Sequence, residues 1–160
     1  PGPMYIRLAQ GKSDAVIYEK GSVKLEYGRG IITRPGSDLT IFAHGEMVYE
    51  ALHAAAELAA AGIDARVADM IFIKPLDEEL VLQCTQETKN VIVLEDHLTY
   101  GGLASSIADL YCDKGVYPAH FLRMGIPQVY AGFGSGAEQR RKYGYDAQAV
   151  VEAAKKMLCK

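Results

Sequence analysis

Apolar and polar positions along the chain switch between two periods, and the sharpest switch lies near its middle. Residues 91–94 (VIVL) form a short continuous apolar run of the buried-strand kind. The run stops at Glu95, Asp96 and His97, and a glycine pair, Gly101 and Gly102, follows. Leu103, Ile107 and Leu110 then recur at helical spacing. In open parallel sheets such strand-to-helix loops sit at the carboxyl ends of the strands, where ligands and partners bind. Glycines there let backbone approach closely, and a helix N-terminus offers free N–H groups to an anion. The same pattern also suits a tight connection with a solvated acidic end, and both readings stay open at this point.

The flanking pattern repeats the alternation. Residues 38–45 (DLTIFAHG) read as a core strand ending at His44 and Gly45. Residues 46–61 read as a helix, with Glu46, Glu50, His53 and Glu57 on a polar stripe and Met47, Val48, Ala51, Leu52, Ala55, Leu58 and Ala59 opposite. Gly62 is placed to end it. A second strand is expected within 63–73, and Asp77 then makes a good N-cap, with Glu78 and Glu79 in the first turn and Leu76 able to staple to Val81. A further strand is expected over 119–124, a Gly-rich loop over 126–136, a short helix over 137–143, and a last helix capped by Asp146. Before the first core strand, residues 4–8 suggest a short strand, and 15–18 and 30–33 are β-prone pieces within a polar stretch. Strands alternating with helices imply an α/β fold with a mainly parallel sheet.

Composition narrows the function classes. The chain has 160 residues, 49% hydrophobic and 23% charged, which suits one globular domain with a real core. Its net charge is −3 and it has no basic block, so nucleic acid is not an expected partner, nor is a membrane surface. Cys84, Cys112 and Cys159 have no paired spacing, which fits a reduced cytoplasmic protein better than a disulfide scaffold. No secretory signal pattern is visible, and the start at Pro1 suggests a piece of a longer chain. No metal site is expected: His53 has its nearest acids on its own helix and no second histidine spaced to join it.

Several stretches together resemble the last domain of transketolases and of the related deoxyxylulose-phosphate synthases. They are Leu94-Glu95-Asp96-His97 with Gly101-Gly102-Leu103-Ala104-Ser105; Gly36-Ser37-Asp38-Leu39-Thr40-Ile41; Ile73-Lys74-Pro75-Leu76-Asp77; and Arg123-Met124-Gly125-Ile126-Pro127 with Phe133-Gly134-Ser135-Gly136. Residues 1–11 resemble the element that closes the preceding, pyrimidine-binding domain in that family. The resemblance implies a three-layer sandwich around a five-stranded, mostly parallel sheet with one antiparallel strand. It implies 1–11 as the tail of the preceding domain, 12–37 as a linker and 38–160 as the C-terminal domain. It implies a cytoplasmic transferase of carbohydrate metabolism, moving a two-carbon ketol unit between sugars with thiamine diphosphate and Mg²⁺ bound by other domains. No cofactor and no catalytic residue are expected in this chain, which alone would be inactive.

By the same resemblance, the partners are the preceding domains or a partner subunit, sugar substrates, and a second copy in a homodimer. The domain's expected work is to build the dimer and shape the active-site entrance. Arg7 matches a family arginine near the substrate, and Gln10 stands where many members carry a second arginine for the substrate phosphate. A neutral amide cannot make that bidentate contact, so a phosphorylated sugar does not follow. His44, Gly45, Glu95, Asp96, His97, Gly101 and Gly102 are the candidates for a domain or dimer interface or an anion-binding loop. The alternatives are the last domain of a 2-oxoacid dehydrogenase E1 β-type subunit, and a free-standing module binding an anion or small molecule.

Overall fold

A computed structural model describes residues 2–8 and 16–159. Five strands form one sheet: β1 (Ile31–Arg34), β2 (Leu39–Ala43), β3 (Ala65–Asp69), β4 (Asn90–Leu98) and β5 (His120–Ile126). Their spatial order is β1-β3-β2-β4-β5, with β1 antiparallel to β3 and the other neighbours parallel. The helices are α1 (Met47–Ala60), α2 (Glu78–Thr88), α3 (Leu103–Lys114), α4 (Gly136–Tyr143) and α5 (Ala147–Met157).

The sheet is covered on both faces, as a parallel sheet needs. On one face α1 and α5 pack Met47, Val48, Leu58, Val150 and Val151 against Leu39, Ile41, Ile92 and Leu94. On the other, α2 and α3 pack Val81, Cys84, Leu103 and Ile107 against Phe42, Ala68, Val91 and Val93. The side chains of β2 therefore alternate between the two cores, and all five of its residues are buried. This is the three-layer, mostly parallel sandwich with one antiparallel strand that the sequence implied.

Local signals set the boundaries. Asp77 caps α2, its carboxylate accepting from the Leu80 N–H at 3.1 Å. It also accepts from the Gly30 N–H at 3.0 Å and from Arg29, which fastens the chain leading into β1. Asp146 caps α5 through the Ala149 N–H at 3.0 Å, and Gly62 has the left-handed φ of +76° that ends α1.

Three sequence expectations change. Residues 4–8 form no strand and are exposed, because a lone strand has no sheet of this domain to join. Residues 16–18 likewise form no strand. The stretch 12–37, read as a linker, contributes β1 to the sheet, since Ile31, Ile32 and Arg34 find partners on the free edge of β3. The polar stripe of α1 also makes specific contacts. Glu50 accepts from the Ala147 N–H at 2.9 Å and pairs with Arg140 at 3.2 Å, tying α1 to the start of α5 and to α4, while His53 is exposed.

Candidate functional site

The carboxyl end of β4 does not stop at Leu94; the strand runs on to Leu98 with broken register. Leu94 pairs with Met124 and Leu98 with Ile126, so Glu95, Asp96 and His97 together face the single residue Gly125 of β5. A Cβ at position 125 would lie 2.7 Å from the His97 carbonyl oxygen and 2.8 Å from that of Glu95, so only glycine lets the bulged strand lie this close. The bulge frees three consecutive side chains from strict alternation, and each turns to a different element.

Glu95 turns inward and is fully buried. Its carboxylate accepts from the Leu103 N–H at 2.9 Å and the Ala104 N–H at 3.1 Å, the first two residues of α3. The N-cap residue, Gly102, has no side chain to do this, and Glu95 takes that part from the end of the preceding strand. The His44 Nε2 atom stands 4.0 Å from Glu95 Oε2, an electrostatic contact rather than a direct hydrogen bond. Burial alone would push the Glu95 carboxyl up; His44 and the Ala104 and Leu103 N–H groups outweigh it and hold the carboxyl below its ordinary range.

Asp96 accepts from the buried Tyr145 hydroxyl at 2.9 Å, at the turn between α4 and α5. His97 stacks near His44, with ring centroids 5.5 Å apart and planes 20° from parallel, and its ring accepts from the Arg7 guanidinium. Burial, then the charges of Arg7 and His44, pull the His97 ring below its usual pKa, as a neutral acceptor requires. Across His44 lies Asp69, at the end of β3, which accepts from the Tyr18 hydroxyl at 2.9 Å. Burial raises the Asp69 carboxyl; the Tyr18 bond and nearby His44 oppose it only in part. His44 Nε2 is buried and has no hydrogen-bond partner among the described residues.

Residues 28–150 match the family model for the transketolase C-terminal domain. The chain belongs to the transketolase C-terminal domain family. It is 38% identical over 156 residues to a 1-deoxy-D-xylulose-5-phosphate synthase of Heliobacterium modesticaldum, covering 98% of this chain and 24% of that protein. It is 34% identical over 152 residues to a putative transketolase C-terminal section of Methanocaldococcus jannaschii, covering 94% of this chain and 46% of that one. Among solved structures it is similar to a split gene transketolase described as an inactive β4 tetramer. The TM-score is 0.82 at 36% identity, covering 91% of this chain and 46% of that one. The chain thus spans between about a quarter and a half of the length of these relatives.

In this transketolase C-terminal domain the structure brings Arg7, His44, Glu95 and His97 together and sets Asp96 beside them on the same strand end. Gln10 lies outside the described residues. Gly45 and Gly101 take left-handed φ values of +58° and +85° in the adjoining turns, and the Gly101 N–H donates to Ser105 Oγ at 2.8 Å. The α3 N–H groups that looked free for an anion are instead bound to Glu95. The loop after β5 is likewise self-satisfied at its end: Ser135 and Glu138 form a capping box at α4. Tyr18, Asp69, Gly125 and Tyr145 complete the cluster; sequence assigned none of them a role, and Gly125 stood there only as part of the Arg123-Met124-Gly125-Ile126-Pro127 motif. Tyr145 sits in the Tyr143-Gly144-Tyr145-Asp146 run, but only the fold shows that its hydroxyl meets Asp96. Among the described residues no helix is long and apolar enough to cross a membrane.

Proposed function

We propose that this chain serves as the last domain of a cytoplasmic transketolase-type enzyme that transfers a two-carbon ketol unit between sugars. In this reading the domain carries no catalytic group. It holds the enzyme's assembly together as part of a dimer or larger oligomer, and it shapes the entrance to the active site. The observation that carries the reading is the match, over nine-tenths of the chain, to a section of a split gene transketolase described as inactive.

Thiamine diphosphate, when bound with Mg²⁺, supplies a stabilised carbanion for such transfer. The residues at the carboxyl edge of this sheet do not fit that cofactor. The first two N–H groups of α3, which could take its diphosphate, are bound to Glu95, and that buried carboxylate would repel a diphosphate there. The cofactor and metal are accordingly assigned to other domains. The same occupation argues against a free-standing anion-binding module. Residues 1–11 are proposed as the tail of the preceding domain, with Arg7 reaching back onto His97 to fix the two domains beside the substrate entrance.

Ketol transfer from xylulose-type donors, phosphorylated and not, tests the proposal when measured with thiamine diphosphate and Mg²⁺. The whole protein that carries this domain is expected to turn over, and the 160-residue chain alone is not. Turnover by the isolated chain contradicts the reading.

A further inference from the structure

Residues 2–8 are exposed along their whole length, and Met4, Tyr5, Ile6 and Leu8 keep 68% to 88% of their surface open. They bury no apolar side chain against the domain, so a polar contact has to set where they lie. Among the described residues, the hydrogen bonds from this segment to the rest of the domain come from Arg7, whose guanidinium reaches the His97 ring. The bulge of β4 against Gly125 sets that ring at the carboxyl end of the sheet, and the His44 ring backs it, 5.5 Å away and 20° from parallel. Among the described residues, the charged and titratable groups around His97 are Arg7 from the N-terminal segment, His44 from the end of β2, and Glu95 and Asp96 beside it on β4. β5 sets Gly125 opposite, which has no side chain, and Asp69 of β3 lies beyond His44. Glu95 and Asp96 favour a proton on His97, but their carboxylates are engaged by the α3 N–H groups and by Tyr145.

We infer that His97 is a proton-operated latch for the N-terminal segment: its neutral ring accepts from Arg7 and holds residues 2–8 at the carboxyl end of the sheet, and its imidazolium form lets them go. A neutral imidazole has one ring nitrogen able to accept from a guanidinium, and the imidazolium has none. Protonation therefore removes the acceptor and sets a second positive charge against Arg7 at contact distance. The coupling runs both ways. Burial, then the charges of Arg7 and His44, hold the His97 ring below its ordinary value of 6.5, so the docked segment resists the proton that would release it. The docked state has the lower His97 value and the released state the higher one. Docking is thus at full strength above the released-state value and weakens as pH falls through it towards the docked value. Within that window the ratio of docked to released segment falls by up to about tenfold per pH unit. Tyr18 holds the chain separately, its hydroxyl donating to Asp69 at 2.9 Å at the end of β3, so the latch frees residues 2–8 and leaves 16–18 in place. The latch goes beyond the proposed function and stands without it, since it needs no residue outside this chain.

The test is nuclear magnetic resonance of the 160-residue chain from about pH 8 down to about pH 5, following the His97 ring and the mobility of residues 4–8 together. In the wild type the segment is expected to pass from held to mobile with the same midpoint as the His97 ring, below 6.5. Arg7→Ala is expected to leave the segment mobile at every pH and to raise the His97 midpoint towards its ordinary value. His97→Ala is expected to leave it mobile at every pH as well. His97→Gln supplies a carbonyl acceptor that does not titrate, and is expected to keep the segment held across the whole range. Arg7 is exposed and His97 half-buried, so the fold is expected to survive each change, which circular dichroism checks. Segment mobility that ignores the His97 titration overturns the inference. So does a His97 midpoint that Arg7→Ala does not move, or an acid release that persists in His97→Gln.

Discussion

A Cβ on Gly102 would lie 2.0 Å from the Oε2 atom of Glu95. The carboxylate and the glycine therefore occupy one place between them. Because position 102 has no side chain, a buried glutamate from β4 can reach the start of α3 and take its first two N–H groups. At Gly102, the space that looked like room for a ligand is room for a residue of the domain itself.

Gly102→Ala is accordingly expected to displace Glu95 and to destabilise the fold by about 2–3 kcal/mol, the scale of breaking a buried, charged hydrogen-bond network. Glu95→Ala is expected to cost a similar amount, since it leaves two buried N–H groups unpaired. The two are not additive: in the Glu95→Ala background the added cost of Gly102→Ala falls to under about 1 kcal/mol. Urea denaturation of the four proteins measures this, and full additivity would show that the two residues do not share the contact.

The pH dependence follows from the sign of the Glu95 shift. Folding holds this carboxyl below its ordinary value of 4.5, so its contribution is fully present above that value. It is lost as pH falls through the ordinary range towards the lowered folded value. Asp69, raised by burial, acts in the opposite sense. Stability of wild type minus Glu95→Gln is expected to be constant from neutral pH down to about 5 and to shrink below it. A difference that grows on acidification would contradict the assignment.

Tyr145→Phe removes the hydroxyl that donates to Asp96 and keeps the ring in the core. The expected cost is about 1–2 kcal/mol, the scale of a hydrogen bond to a charged acceptor. Asp96→Asn is expected to cost less, because its amide oxygen still accepts. Thermal or urea unfolding of the two variants decides the order.

Arg7 touches His97 from an exposed segment, so Arg7→Ala is expected to change folding stability by less than about 0.5 kcal/mol. In the whole protein the same substitution is expected to raise the KM for the ketose donor several-fold. Unchanged steady-state kinetics would remove Arg7 from the substrate entrance.

The alternation of apolar periods made the sandwich legible, and so did residues with a local mechanism: Asp77 and Asp146 as caps and Gly62 as a helix stop. Local signals also carried the family motifs, because strand ends, turns and caps are short-range. The site was legible only as a segment. That Glu95, Asp96 and His97 matter could be read from their place after a buried strand. What each one does depends on Gly102, Tyr145 and Arg7, which lie 7, 49 and 90 residues away along the chain. No periodicity reports such partners. The broken register of β4 was hidden for the same reason: Gly125, which permits it, looks in the sequence like an ordinary turn glycine.

The most direct test of the account is to purify this protein from its own cell through this domain and measure its mass and thiamine diphosphate content. The account predicts an assembly well above 17.4 kDa carrying bound thiamine diphosphate, whether the domains share one chain or two. A free 17.4 kDa chain without cofactor or co-purifying partner would contradict it.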